Sequence, residues 1–245
     1  MNVAVYTRYE LLRAFRNIRF FIFSFGFPLV IYFLIALPNR HVEDIGGSGV
    51  SAPLYFMIGL AAFGAMTAVL ASGGRIAAER AAGWSRQLRI TPLSPRAYFR
   101  TKILTGYVLA ILSILLMYLS GISLGVSLPA GDWIKMTGLM LVALIPFAAG
   151  GILMGHLVPV DSIGPAIGGV TALFALLGGS WFPIGSSGAY HDIAQFVPSY
   201  WLVQASRVSL GGSTWGALGW GVVVVWSVVL ARLALWAYRR DTKRV

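Results

Sequence analysis

Residues 54–102 read LYFMIGLAAFGAMTAVLASG, followed directly by GRIAAERAAGWSRQLRITPLSPRAYFRTK. The first part, residues 54–73, contains no charged side chain, and about 20 helical residues are enough to cross the hydrocarbon core of a bilayer. The second part, Gly74–Lys102, is the longest strongly polar interval of the chain; it carries seven of the nineteen lysines and arginines and a single acid, Glu79. The pattern predicts a membrane span that ends in a basic loop.

The composition of the whole chain favours the same class of protein. Of its 245 residues, 58% are hydrophobic and 11% are charged, whereas a soluble domain carries roughly 25% charged residues. A chain of this size leaves too much surface to bury all of its apolar segments together in water. We therefore expect an all-α integral membrane protein. Because the chain has no cysteine, disulfides, a thiolate nucleophile and a cysteine zinc site are excluded.

Six apolar stretches are long enough to cross the membrane. Four arginines ahead of the first stretch are also typical of a signal peptide, but the apolar run is too long and no small-residue cleavage site follows it. We expect it to remain as a span. The six predicted spans are Phe20–Pro38, Leu54–Gly73, Ile103–Leu128, Met136–Val158, Ile163–Phe182 and Thr214–Tyr238.

The distribution of lysine and arginine predicts the orientation of these spans. With the N-terminus in the cytoplasm, three basic residues face the other side, namely Arg40, Lys135 and Arg207. Since cytoplasmic loops carry the excess of basic residues, both termini and the Gly74–Lys102 loop are expected in the cytoplasm, with the protein in the cell (plasma) membrane. The loop arginines then need no partner of their own. The net charge of +11 indicates affinity for anionic membrane lipids, and no nucleic-acid partner is expected.

We predict one transmembrane domain over residues 1–245, beginning with an amphipathic helix on the membrane surface at residues 1–19. The apolar side of this helix is predicted to carry Ala4, Leu11, Leu12 and Phe15, and the polar side Thr7, Glu10, Arg13 and Asn17.

Residues 178–213 are too apolar for a solvated loop and too interrupted by glycine and proline for a span. We predict an external re-entrant segment of amphipathic half-helices before the last span, which Pro198 splits in two. Ile193, Phe196, Val197, Tyr200 and Trp201 follow helical spacing. The site residues assigned to the half-helices are Trp181, Phe182, Pro183, Pro198, Tyr200, Trp201 and Arg207.

Three spans carry glycines four residues apart, a spacing that allows close helix approach. The pairs are Gly121 and Gly125, Gly151 and Gly155, and Gly164 and Gly168. They fit packing within the bundle or a seam with a second copy.

Motifs for chemistry are absent from the sequence. There is no phosphate-binding Gly-x-x-x-x-Gly-Lys-Ser/Thr loop, no His-Glu-x-x-His and no Gly-x-Ser-x-Gly. Three scattered histidines make no plausible metal cage, and no acid lies in the middle of a span, which argues against proton- or sodium-coupled transport. His156 is expected to serve only as an anchor at the membrane interface.

An intramembrane enzyme would need polar groups at one depth, and a passive channel or scaffold would leave an amphipathic cytoplasmic helix unexplained.

Within the loop, Ile76–Ala82 consists of good helix formers, Gly83 interrupts them, and Trp84–Arg89 continues with amphipathic spacing. The prolines of Thr91–Pro95 stop the helix, and Ser94 can cap the helix that follows, with Pro95 in its first position. We therefore predict a short helix, Ile76–Arg89, in the membrane plane.

The loop resembles the cytoplasmic loop of the ATP-binding-cassette type-2 (ABC-2) permease family. The matching residues are Glu79, Arg80, Gly83, Gln87, Leu88, Thr91, Pro92, Leu93, Ser94, Pro95, Tyr98 and Lys102. A second match, ahead of the last span, consists of Gly179, Phe182, Pro183, Pro198 and Arg207. Trp84 departs from the pattern, since many members carry a small polar residue there.

The resemblance implies a permease subunit of an ATP-driven exporter that is not itself an enzyme. It would pair with a second permease, as a homo- or heterodimer, and with two ABC ATPase subunits that bind ATP and magnesium, so no cofactor is expected in this chain. The substrate would be amphiphilic, such as a drug, lipid or peptide; the alternative is a lipid-linked polysaccharide. The Ile76–Arg89 helix would be the coupling helix, and the residues implied in coupling to the ATPase are Arg75, Ile76, Ala77, Ala78, Glu79, Arg80, Gly83, Trp84, Gln87, Leu88, Arg89, Thr91 and Pro92.

Overall fold

The computed structural model describes residues 3–45, 49–83, 94–185, 187–205 and 215–242, and every regular element within these ranges is helical. The prediction of an all-α protein is confirmed. The elements are α1 (Val3–Phe15), α2 (Ile18–Phe21), a π-helical turn (Ile22–Gly26), α3 (Phe27–Ala36), α4 (Ala52–Ala81), α5 (Pro95–Ser123), α6 (Ala130–Ala143), α7 (Ile145–Leu157), α8 (Val160–Leu177), α9 (Ala189–Ala194), α10 (Pro198–Gln204) and α11 (Ala217–Thr242).

Five helical stretches are long and apolar enough to cross a membrane, and they correspond to the second to sixth predicted spans. They are Ala52–Ala81, Arg96–Ser123, Ala130–Leu157, Val160–Leu177 and Ala217–Asp241. The first predicted span is helical as well, but the π-helical turn divides it and leaves a shorter apolar helix, Ser24–Ala36. A count of six spans therefore stays a prediction.

Prolines explain two interruptions in the helices. Pro28 has no N–H to donate to the carbonyl of Ser24, and the hydroxyl of Ser113 on α5 donates to that carbonyl instead, at 3.4 Å. The π-helical turn directly precedes α3, whose second residue is Pro28. Pro146 has a similar effect in the fourth predicted span, where α6 ends and α7 begins around Leu144.

The helix α4 lies at the centre of the bundle, in contact with α3, α5, α7 and α8. In its most apolar stretch 83% of the residues are buried, against 22% for α11. Small residues allow the neighbouring helices to approach α4 closely. A Cβ added to Gly73 would lie 2.3 Å from the carbonyl carbon of Gly151 on α7, so the two backbones are in direct contact. Close approach of this kind adds dispersion contacts along the seam and fixes α4 against α7.

The predicted glycine pairs fall into two groups. In the first group, a Cβ added to the glycine would come within 2.7 Å of an atom of α4, so these positions pack inside the bundle. This group is Gly121, Gly151 and Gly155. In the second group an added Cβ would meet no atom of the described chain within 4 Å. This group is Gly125, which ends α5 with a φ of +89°, and Gly164 and Gly168 on the exposed side of α8. The last two remain candidates for contact with a second copy.

The predicted N-terminal helix is present as α1, but its polar side differs from the prediction at one residue. Glu10, assigned to the polar side, is 4% exposed and lies against the bundle. The reason is electrostatic: basic groups on α4 and α5 stabilise Glu10 inside, an effect that periodicity within one helix cannot reveal. Leu12 and Phe15, assigned to the apolar side, are 48% and 46% exposed, and contact of this side with a membrane stays a prediction.

The segment before the last span does contain two short helices, α9 and α10, and Pro198 begins the second. Their predicted apolar stripe is not continuous, however. Ile193 and Phe196 are 60% and 63% exposed, whereas Tyr200 is buried, because the chain turns between the helices. Arg207 lies outside the described residues, and the depth of these helices in a membrane stays a prediction.

Candidate coupling site at the end of the central helix

The bundle has one end, called here the α1 end, where α4, α7 and α11 finish, α5 and α8 begin and α1 packs beside them. The predicted coupling residues Arg75–Arg80 lie there. They do not form a separate helix, so that prediction was wrong: they are the last turns of α4. Good helix formers follow Gly74 without a stop signal, and the helix continues until Gly83. Gly83 has a φ of +70° and donates its N–H to the carbonyl of Arg80 at 3.0 Å, as expected for a glycine that follows a helix end.

Burial divides the predicted coupling residues into a supporting part and an accessible part. Ile76, Ala77 and Glu79 are at most 3% exposed, so they face the bundle and are not available to a soluble partner. Exposure begins at Ala81, in the final turn of α4. Of the described coupling residues, only those near the end of α4 are accessible to a partner. The remaining predicted positions, Trp84, Gln87, Leu88, Arg89, Thr91 and Pro92, lie outside the described residues.

Lys102 is the centre of a buried ionic group. Its side chain is 0% exposed, and its Nζ donates to Oε1 of Glu10 on α1 at 2.6 Å and to Oε1 of Glu79 on α4 at 2.5 Å. The hydroxyl of Tyr98 donates to the second oxygen of Glu79 at 2.5 Å. Arg75 lies 3.8 Å from Glu10. These five residues, which we call the Lys102 cluster, join α1, α4 and α5.

The charges of the Lys102 cluster balance. The two carboxylates of Glu10 and Glu79 face the two cations of Lys102 and Arg75. At the rim, Arg13 reaches Glu79 at 3.4 Å with a side chain that is 61% exposed. Because burial of a charge is costly unless it is paired, removal of one partner from such a group destabilises a fold by about 3–5 kcal/mol. The cluster therefore fixes the relative positions of three helices at the α1 end.

A second ionic group joins α4 to α7 and α11. Nε of Arg80 lies 2.7 Å from Oδ2 of Asp241, and Nδ1 of His156 lies 3.1 Å from the same oxygen. Arg80 also donates to the backbone carbonyl of Gly155 at 3.2 Å. We call Arg80, His156 and Asp241 the Asp241 cluster. It corrects one prediction, because the loop arginine Arg80 has an acidic partner. His156 takes part through a hydrogen bond to Asp241 that the sequence did not predict.

The start of α5 agrees with the sequence-based prediction. Ser94 is the cap, and its Oγ accepts a hydrogen bond from the N–H of Ala97 at 3.2 Å. Pro95 is the first residue of the helix. The segment 84–93 is thus bounded by Gly83, which ends the central helix, and Ser94, which begins the next one.

The opposite end of the bundle is built from different contacts. The hydroxyl of Tyr55 on α4 donates to the carbonyl of Gly179, and a Cβ added to Gly59 would lie 2.0 Å from the carbonyl oxygen of Ser180. Of the residues predicted here, Pro198 and Tyr200 are buried, Trp181, Pro183 and Trp201 are partly buried, and Phe182 is exposed. Among the described residues of the chain, no group of three His, Asp or Glu side chains could hold a metal ion.

Sequence reasoning missed the roles of Glu10, Tyr98, Lys102, His156 and Asp241. The positions of the acidic residues could have indicated some of these contacts. The chain has eight of them, and four lie on the predicted cytoplasmic side, where basic residues dominate. Three of these four, Glu10, Glu79 and Asp241, form ion pairs in the structure.

Five helices of membrane length, of which the buried α4 is the central one, define the class, a multi-pass membrane protein. The family model described as ABC-2 family transporter protein matches residues 40–237, which is most of the chain. The chain belongs to this family, and the resemblance seen in its loop is confirmed. Permeases of the family are not themselves the ATPase and work with ABC ATPase subunits.

A curated relative agrees with this assignment. The chain is 28% identical over 196 residues to the Bacillus subtilis (strain 168) protein named "Putative transport permease YvfS". The match covers 78% of each chain.

Proposed function

We propose that this chain is the membrane subunit of an ATP-driven exporter and that the segment 84–93, with the end of α4, receives the movement of an ABC ATPase. In the complete transporter, this chain and a second permease form the translocation path, and two ATPase subunits bind ATP and magnesium. The absence of a phosphate-binding loop from the sequence is consistent with this division of labour.

One observation carries the proposal. The most buried helix of the bundle runs without a break into the segment that resembles the family's coupling loop. A helix in contact with several others transmits a displacement of its end to all of them, because packed interiors resist compression. Gly83 follows the end of this helix and directly precedes the segment 84–93.

The proposed orientation places the α1 end in the cytoplasm of a cell with this protein in its plasma membrane. The excess of lysine and arginine on that side supports it. The exposed face of α1 supports it as well, since its arginines and apolar side chains suit a surface of anionic lipid. We propose an amphiphilic substrate, such as a drug, lipid or peptide, because the described spans hold no buried acid away from the α1 end.

The test is co-purification of the tagged chain with the ABC ATPase encoded nearest to it, followed by measurement of ATP hydrolysis in lipid nanodiscs. Leu88→Glu places a charge at a predicted contact, and Gly83→Pro prevents the positive φ at the helix end. We expect both variants to insert into the membrane but to lose the ATPase or its stimulation by the permease.

Ser187→Glu is the matched control, because it adds the same charge at an exposed position of the opposite end. Glu79 is unsuitable for this test, since its substitution would break the Lys102 cluster. Retained ATPase and unchanged hydrolysis in both loop variants, with folding verified by size-exclusion chromatography, would reject the proposed coupling role.

A further inference from the structure

Asp241 occupies an unusual position for an acid. It lies in the last turn of α11, and its neighbours Arg239, Arg240, Lys243 and Arg244 are all basic. It is also the only acid after Asp192. The C-terminal end of a helix carries partial negative charge, so a carboxylate there is unfavourable unless a local partner stabilises it. The position of Asp241 therefore requires an explanation in its contacts.

Those contacts connect three helices through one carboxylate oxygen. Oδ2 of Asp241 lies 2.7 Å from Nε of Arg80 on α4 and 3.1 Å from Nδ1 of His156 on α7. The guanidinium of Arg80 also reaches the carbonyl of Gly155. Gly155 packs closely against α4, because a Cβ added to it would lie 2.4 Å from the carbonyl oxygen of Gly73.

Aromatic rings hold the same three-helix junction from the side. The centroids of Phe99, His156 and Tyr238 lie 5.0–6.0 Å from one another, and all three pairs are edge-to-face. Edge-to-face packing at this distance is favourable. The ring of His156 is thereby fixed, and the junction includes the start of α5 through Phe99.

The Arg80–Asp241 ion pair joins α4 to α11 directly. Within the described residues, α11 packs along α7 and touches α10, without extended packing along α4. Much of α11 is exposed, since only 22% of its most apolar stretch is buried. Arg80 lies three residues before Gly83, next to the start of the segment 84–93. A displacement of that segment would therefore reach α11 directly through Arg80 and Asp241, beside the indirect path through α7.

We propose that Asp241 is a positioning residue that couples movement of the end of α4 to α11. The inference rests on the proposed function, because the movement is the one that the ATPase would supply. Arg80 and Asp241 are 30% and 21% exposed, so water reaches the pair and partly screens it. We expect the bundle to stay folded when the pair is broken.

The experiment uses the complete permease–ATPase complex in nanodiscs and spin labels on Val229→Cys of α11 and Leu115→Cys of α5, both exposed positions. The chain has no other cysteine, and labelled chain is diluted into unlabelled chain so that only distances within one copy are measured. We expect the distance between the labels to change when ATP and vanadate are added. In Asp241→Asn and in Asp241→Ala this change is lost while the ATPase stays bound.

The control Asp192→Asn removes the same charge at an exposed position of the opposite end, and it should behave as the wild type. A full nucleotide-dependent change in both Asp241→Asn and Asp241→Ala would overturn the inference, and so would failure of both variants to fold, which would assign the pair a structural role. A wild-type complex in which the ATPase binds but the labels do not move also contradicts it. Failure of the wild-type chain to bind the ATPase is a different result and rejects the proposed function itself.

Discussion

The two ends of the bundle hold the central helix by different means. At the α1 end, charged side chains in the Lys102 and Asp241 clusters connect α4 to α1, α5 and α11, in addition to the backbone contact of α4 with α7 at Gly73 and Gly155. At the opposite end it is connected by backbone contacts, as at Gly59 beside Ser180, and by the hydrogen bond from Tyr55 to the carbonyl of Gly179. The helix α4 has buried contacts at both ends of the bundle, but the two sets of contacts differ in how far α4 can move relative to its neighbours.

Backbone contact between small residues has one geometry, because any separation loses the contact. Long charged side chains reach their partners through several rotatable bonds. We infer that the partly exposed Arg80–Asp241 pair at the α1 end can adjust when the segment 84–93 is moved, whereas the buried Lys102 cluster and the backbone contacts at the opposite end hold α4 in place. The predictions that follow test this difference, from the largest effect to the smallest.

Lys102→Met should have the largest effect, because it leaves Glu10 and Glu79 buried side by side without their shared cation. We expect a loss of about 3–5 kcal/mol in the free energy of unfolding, measured as a lower thermal midpoint of the purified permease. The triple variant with Glu10→Gln and Glu79→Gln should regain much of the loss. Lys135→Met is the control, since that side chain is 66% exposed. Equal effects of the two lysine substitutions would mean that the buried cluster does not hold this end.

Gly59→Val tests the opposite end, where an added Cβ would lie 2.0 Å from the carbonyl oxygen of Ser180. Backbone cannot shift as a side chain can, so overpacking here should cost about 1–3 kcal/mol. Gly164→Val is the matched control, because an added Cβ at that position meets no atom of the described chain within 4 Å. The measurement is again the thermal midpoint. If Gly59→Val were as stable as the control, the contact at this end would be looser than the structure indicates.

Ser94→Ala should have the smallest effect. It removes the hydrogen bond to the N–H of Ala97 at the start of α5 and should cost about 1 kcal/mol. Ser94→Asp keeps an oxygen acceptor at the cap and should restore the stability. The measurement is the thermal midpoint of the wild type, Ser94→Ala and Ser94→Asp. Three identical midpoints would mean that the cap does not stabilise the protein.

The parts of this fold that depend on local sequence could be predicted. The apolar runs located five spans, Gly83 indicated an interruption of a helix, and Ser94 with Pro95 indicated the start of another. The ionic clusters could not be predicted in this way. Lys102 and Glu10 are 92 positions apart, and their contact exists only because α1, α4 and α5 meet at one end of the bundle. The helix at Ile76 was predicted to be separate because polarity begins at Gly74, whereas packing of Gly73 against α7 lets α4 continue through this point.

The central claim is that an ATPase subunit meets this chain at the segment after Gly83. Since the chain has no cysteine, a single cysteine carrying a photoactivated benzophenone maleimide can report on one position at a time. With Leu88→Cys we expect a cross-linked band containing permease and ATPase, and with Ser187→Cys, at the opposite end, no such band. Cross-linking from position 187 in the absence of cross-linking from position 88 would contradict the account.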